Sequence, residues 1–159
     1  MNEKKAVSSS QVIMTQLVLP SHTNSLDTVF GGTVMSWIDI CAAIAAQRHS
    51  NLEVVTASID QLNFIAPIKR GWVVNLKASV NFTSRTSMEV GVRVDAENPK
   101  TGEMFPTASA YLTFVALGAD GHPTEVPGLI LSSDIEKRRF AAAQSRREQR
   151  LANRKTRLK

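Results

Sequence analysis

The pattern of apolar and polar positions divides the chain into one long helical stretch and several runs that alternate with a period of two. From Val34 onward the helical stretch carries Val34, Met35, Trp37, Ile38, Ile40, Cys41, Ala42, Ile44 and Ala45, apolar on almost every side of a helical projection. A buried helix from Gly32 to about Arg48 is predicted, roughly 25 Å long at about 1.5 Å per residue. Residues 11–19 (QVIMTQLVL) read as a strand ended by Pro20. Four further strand-like runs follow the helix, over residues 53–65, 72–82, 88–96 and 105–117. In the first of these the apolar phase changes after Ile59 and resumes on Leu62 and Phe64, which predicts a bulge near Asp60 and Gln61. The second places Trp72, Val74, Leu76, Ala78, Val80 and Phe82 on one face, and the third does the same with Met88, Val90, Val92, Val94 and Ala96. Residues 83–87 and 98–102 have the turn chemistry of short hairpin connections.

A strand, a long apolar helix and four strands joined by short turns predict an α+β domain in which an antiparallel sheet wraps around the helix and buries most of its surface. Residues 11–130 form that domain. Residues 1–10 are polar and small and are expected to be disordered. Residues 131–159 form a C-terminal helical extension: Gly and Pro are absent from 132–158, Ser132 or Ser133 can cap it, and Asp134 and Glu136 suit its first turn. Its apolar positions thin out after Phe140, so an exposed or frayed distal part is expected.

Charge changes the picture of that extension. The net +5 is uneven: residues from 134 onward hold 10 Lys/Arg against 3 Asp/Glu, which leaves 9 against 11 in the domain before them. Such a basic tail can meet nucleic acid, anionic lipid or an acidic partner, with a solvated helix as the plainer explanation. Neither a helix-turn-helix nor a basic surface interleaved with aromatics is recognisable, so no nucleic-acid partner is expected. One cysteine cannot form an internal disulfide, the N-terminus lacks an apolar signal core, and no apolar run reaches membrane-spanning length. These features predict a cytoplasmic protein without membrane insertion.

One carboxylate, Asp39, interrupts the apolar helix, where an unpaired charge costs several kcal/mol. Gly31 and Gly32 stand at the expected helix N-terminus, where free N–H groups can hold an anion or polarise a carbonyl, and Asn24 upstream offers an amide donor and acceptor. A buried acid, an amide and unpaired N–H groups are the parts that activate a water and stabilise an oxyanion. Each has a plainer alternative: Asp39 accepting hydrogen bonds in a polar gap, Asn24 as a turn residue, the glycines as simple helix entry.

The run S-H-T-N-x-x-x-x-V-F-G-G, the helix carrying W-I-D, the strand D-Q-L-N-F-I-A-P-I, the S-R-T-S-M-E-V segment and the late strand A-S-A-Y-L-T-F-V-A-L resemble, in order and spacing, the hotdog-fold acyl-CoA thioesterases of the bacterial YciA and mammalian brain acyl-CoA hydrolase type. The resemblance covers residues from about 12 to 127. It implies a hydrolase that cleaves acyl-CoA to a carboxylic acid and CoA, with Asp39, Asn24 and Gly32 as catalytic residues. Coenzyme A is then part of substrate and product, and no separate cofactor is implied. Edge-to-edge homodimers, assembled as trimers of dimers into hexamers, are also implied. For CoA and acyl contacts the matching positions are Gly31, Asn63, Phe64, Ser84, Arg85, Thr86 and Ser87, with Lys69 and Arg70 as weaker candidates; turn chemistry explains 84–87 equally, and Phe64 also reads as core.

Burial would raise the Asp39 pKa and make it a proton acceptor near neutrality, while direct attack by the carboxylate through an anhydride stays open. Two other functions remain: an acyl-thioester hydratase, which would need a histidine beside the acid and finds only His22 nearby, and a non-enzymatic acyl-CoA sensor using the basic tail. Cys41 lacks a neighbouring base and reads as packing, and His22, His49 and His122 are too scattered for a metal site.

Overall fold

The computed structural model describes residues 3–158. In chain order the strands are β1 (Lys5–Ala6), β2 (Val12–Leu17), β3 (Glu53–Phe64), β4 (Val73–Thr83), β5 (Ser87–Glu97), β6 (Met104–Leu117) and β7 (Leu129–Ile130). The helices are α1 (Gly31–Ser50) and α2 (Asp134–Arg157), with short 3-10 turns at Val7–Ser9 and Pro20–His22. Strands β2, β4, β5, β6 and β3 form, in that spatial order, one antiparallel sheet. This is the predicted α+β hotdog arrangement: α1 packs on one face of the sheet, burying Val34, Trp37, Ile38, Cys41, Ala42, Ala45 and Ala46 against Val74, Leu76, Val80, Val90, Val94, Leu112 and Phe114.

The alternation predicted for β5 holds along its whole length, with Met88, Val90, Val92, Val94 and Ala96 all buried. For β4 it holds only as far as Val80. A register shift between Val80 and Phe82 inserts an extra residue, so Phe82 leaves the core face and its ring meets Phe140 of α2 at 4.9 Å between centroids. In β3 the predicted bulge lies between Asp60 and Asn63, with Gln61 at φ 52°, and a second irregularity falls between Thr56 and Ser58.

One expectation is corrected and two are qualified. Residues 5–10 are ordered: Lys5–Ala6 pair in parallel with β7, and Val7 and Ser10 are buried, because a flank of the domain offers backbone partners that composition does not reveal. Met1 and Asn2, part of the same expectation, lie outside the described residues. The sheet buries most of α1, as expected, and leaves one side of it bare. Met35 and Ile40 remain exposed, Ile40 at 51%, because one sheet layer covers only one face of a helix. The extension is a capped helix with an exposed end, as expected, but it stays anchored well past Phe140. Ser133 caps α2 by accepting the Glu136 N–H at 3.1 Å, Ala143 is buried, and the guanidinium of Arg146 donates to both carboxylate oxygens of Glu89 at 2.7 and 3.1 Å. Beyond Arg150 the helix continues with every side chain through Leu158 exposed.

Candidate active site

Residues 23–30 form a loop that leads the chain into α1, and Asn24 organises it. Its side-chain oxygen accepts N–H bonds from Leu26 at 2.9 Å and Thr28 at 3.3 Å, and the Thr28 hydroxyl at 3.2 Å. With that oxygen committed, the Nδ2 donor makes no hydrogen bond among the described residues. The loop lies against residues 68–70: Val29 donates to Ile68, and Arg70 forms an ion pair with Asp27 at 3.2 Å. Lys69 lies 5.7 Å from the Trp72 ring. Arg70 therefore braces the loop, and Lys69 meets it through its backbone opposite Thr28.

Phe30 precedes the helix in a non-helical conformation, and its carbonyl receives Thr33 and Val34 at 3.0 and 3.2 Å. The N–H groups of Gly31 and Gly32 make no hydrogen bond among the described residues, and they sit at the positive end of the α1 dipole. A Cβ at Gly31 would touch the Phe64 ring at 3.6 Å, whereas one at Gly32 would meet nothing within 4 Å. Within this chain Gly32 thus faces open space, and no obstruction by neighbouring atoms requires a glycine there. Phe64 is 51% exposed rather than core, and it lines a cleft of about 290 Å³ with Thr28, Gly31, Val34, Ile65 and Ile68.

Asp39 is half-buried, not enclosed, because it points from the helix side that the sheet leaves uncovered. Its carboxylate accepts a 2.7 Å hydrogen bond from the Thr56 hydroxyl on β3. Sequence reasoning missed Thr56, since a threonine inside a strand reads as an ordinary β former. Thr56 faces α1 by ordinary alternation, on the same side as Val54 and directly opposite the buried Phe114, and the irregularity in β3 follows it. Asp39 follows Gly32 by two helical turns, about 10 Å along the axis. One subunit therefore separates the acid from the N–H groups and the Asn24 loop by more than a single carbonyl can bridge.

The remaining candidates scatter. Asn63 pairs with Ser109, on the sheet face away from α1, and its amide donates to Gln61 at 3.0 Å, bracing the bulge. Residues 84–87 form a tight turn: Ser84 donates to the Ser87 carbonyl, their hydroxyls lie 2.6 Å apart, and the carbonyls of Thr86 and Arg85 are taken by Ala116 and Val126. Ser87 pairs with Val115, while Phe64 pairs with Ala108. Those positions on β6 are seven residues apart, about 23 Å, so Ser84, Arg85, Thr86 and Ser87 lie away from the Gly31 cleft of their own subunit. His22 accepts the Leu19 N–H on Nδ1 at 3.0 Å and packs edge-on against Trp37 at 5.0 Å. Trp37 lies on the buried side of α1 and Asp39 two residues further round, so His22 does not stand beside the acid of its own subunit. Cys41 is buried and its thiol is pushed up to about 11 by burial, opposed by Arg48, which makes it inert packing.

Comparison with known proteins gives this arrangement its class. The thioesterase superfamily matches residues 26–103. The uncharacterized acyl-CoA thioester hydrolase YkhA of Bacillus subtilis is 41% identical over 134 residues, 84% of this chain and 78% of that protein. An apo-hexameric acyl-CoA thioesterase aligns with TM-score 0.91 at 42% identity, over 95% of this chain and 97% of that one. An acyl-CoA hydrolase from Staphylococcus aureus, solved with butyryl coenzyme A and coenzyme A, aligns with TM-score 0.88 at 40% identity, over 95% and 92% of the two chains. That protein has also been solved with one Asn, one Asp or one Thr replaced by alanine, the three positions being separated by 15 and 17 residues. The chain belongs to the hotdog-fold thioesterase superfamily. It is an acyl-CoA thioester hydrolase.

Proposed function

We propose that Asp39, oriented by Thr56, activates the water that hydrolyses an acyl-CoA, at a site completed by a second copy of the chain. The observation that carries this reading is the Asp39–Thr56 pair: a carboxylate with one oxygen held at 2.7 Å and the other without a partner among the described residues, lying beside an uncovered apolar edge. Asn24, Asp39 and Thr56 are separated by 15 and 17 residues, the same separations as the replaced positions of the Staphylococcus aureus protein.

The free oxygen of Asp39 takes a proton from water as its oxygen attacks the thioester carbonyl. The resulting oxyanion is met by the unpaired N–H groups of Gly31 and Gly32, with the Asn24 Nδ2 donor holding the water or the carbonyl. Collapse expels CoA thiolate, which recovers the proton from Asp39, leaving a carboxylic acid. The 10 Å between acid and anion-holding groups in one subunit favours a partner's Asp39 facing these N–H groups across a two-fold axis. The long unpaired edge of β3, with Val55, Ile59 and Phe64 exposed, and the bare stripe of Met35 and Ile40 offer the surface for that pairing. Three such dimers would give a hexamer. A cytoplasmic location suits the unpaired, buried Cys41.

Release of free thiol from a series of acyl-CoAs of increasing chain length tests the activity; a hydratase would release none. Asp39→Asn tests the base: turnover is expected to fall by about 10²–10⁴-fold with the fold and CoA binding kept. Turnover near that of the unmodified enzyme would show that another group takes the proton. Single turnover in ¹⁸O-water distinguishes the anhydride route, which would leave label in the Asp39 carboxylate.

A further inference from the structure

A second and larger cleft lies on the opposite face of the sheet, beneath α2. Its volume is about 900 Å³, and its lining includes Lys77, Ser79, Arg93, Arg138, Arg139 and Arg146 and no acidic side chain. This is sized for a ligand well beyond a single small anion.

The cations are placed where the fold alone gives them little reason to be. Lys77 and Arg93 are directly opposite one another on β4 and β5, and like charges in that register destabilise a sheet. Beside them Ser79 faces Gly91, and the space a side chain there would need is taken by the Asn81 amide, which a Cβ would meet at 2.6 Å. Arg138 and Arg139 reach the same cleft from the first turns of α2. Compensation is partial. Arg146 is spent on Glu89 and stacks over Tyr111 at 3.6 Å, and Arg93 uses its Nε on Asp95 at 3.2 Å, which leaves its terminal nitrogens free. Lys77, Arg138 and Arg139 have no ion pair among the described residues. Independently of charge, the Ser79 hydroxyl is buried in this cleft and has no hydrogen-bond partner among the described residues, a condition that native structures seldom tolerate without a ligand or water to meet it.

We propose that this cleft binds a phosphate-bearing ligand of nucleotide size, with Lys77, Arg93, Arg138 and Arg139 meeting the phosphates and Ser79 donating to the same ligand. Guanidinium groups match phosphate oxygens in pairs, and the strand and helix cations converge on one volume. The phosphate can come from the nucleotide end of coenzyme A or from a free nucleotide, and the test separates the two.

Isothermal titration of the intact enzyme with ADP and with inorganic pyrophosphate, at low ionic strength, is expected to show saturable binding that weakens as salt is added. Lys77→Ala and Arg138→Ala should each weaken it about tenfold, the loss of one charge-assisted contact. Neither residue makes an ion pair in the fold, so these variants keep the native structure. Ser79→Ala should weaken ADP binding without changing its salt dependence. If ADP still binds enzyme saturated with CoA, the ligand is a separate nucleotide. If CoA displaces ADP and Lys77→Ala raises KM for butyryl-CoA with kcat unchanged, it is the nucleotide end of the substrate. Absence of saturable binding by either probe, or affinities unaltered in both charge variants, would overturn the proposal.

Discussion

His49 occupies the last turn of α1 with no exposed surface, its Nε2 at 2.8 Å from the Pro127 carbonyl and its Nδ1 buried without a partner. Burial pushes its pKa below the usual histidine value, nearby Lys5 adds to this, and the bond to Pro127 opposes it. The unfolded chain then takes up a proton before the folded one as pH falls. Stability due to this group is complete above about pH 6.5 and is lost as pH drops below it. Urea titrations between pH 7.5 and 5 should show that loss, and His49→Gln, which keeps a donor for Pro127, should flatten it. At the same scale Thr56→Ala should leave the fold intact and lower kcat less than Asp39→Asn does, because it loosens the carboxylate without removing it. Asp39, Asn24 and Gly31 were legible in the sequence as residue types out of place in an apolar run or at a helix entry. Thr56 was not, since its role comes from the strand pairing that sets it opposite Phe114 and under the helix, and a threonine in a strand carries no mark of that.

Among the elements, α2 shows how a polar sequence becomes structural. Phe140 packs on Phe82, Arg146 bridges to Glu89, and Arg150 meets Asp60 on β3 at 2.7 Å, so one helix ties three strands of the outer face. Glu89 is 3% exposed, and its carboxylate is paired with Arg146 at 2.7 Å. Removing the guanidinium in Arg146→Ala strands a buried carboxylate, an expected loss of about 3–5 kcal/mol in chemical denaturation. Replacing both partners by methionine should recover most of it. The helix, the alternation of β4 and β5 and the bulge of β3 were all legible, because each rests on periodicity within a single segment. The switch of Phe82 to the outer face and the anchoring of α2 were not. Both depend on which segments meet, and a charged helix reads the same whether it floats or is clamped.

At the level of the whole molecule, the uncovered side of α1 and the free edge of β3 set the terms for assembly. Ile40 is exposed in one subunit, so Ile40→Glu should change the stability of an isolated subunit by no more than about 0.5 kcal/mol. In a dimer built on this face the same substitution buries a charge. Light scattering should then report smaller particles and the thioesterase assay a matching loss of activity, whereas an unchanged mass would place the interface elsewhere. The sequence pattern showed an apolar helix but could not say which of its sides the sheet leaves bare.

The two-turn gap between Gly32 and Asp39 makes inheritance of activity between mutant copies a measurable property. If every site borrows its acid from across the axis, subunits carrying Asp39→Asn, refolded together with subunits carrying Asn24→Ala, will regain turnover that neither population has alone. Each hybrid pair would own one fully equipped centre and one doubly crippled centre. Self-contained subunits would stay silent however they were mixed.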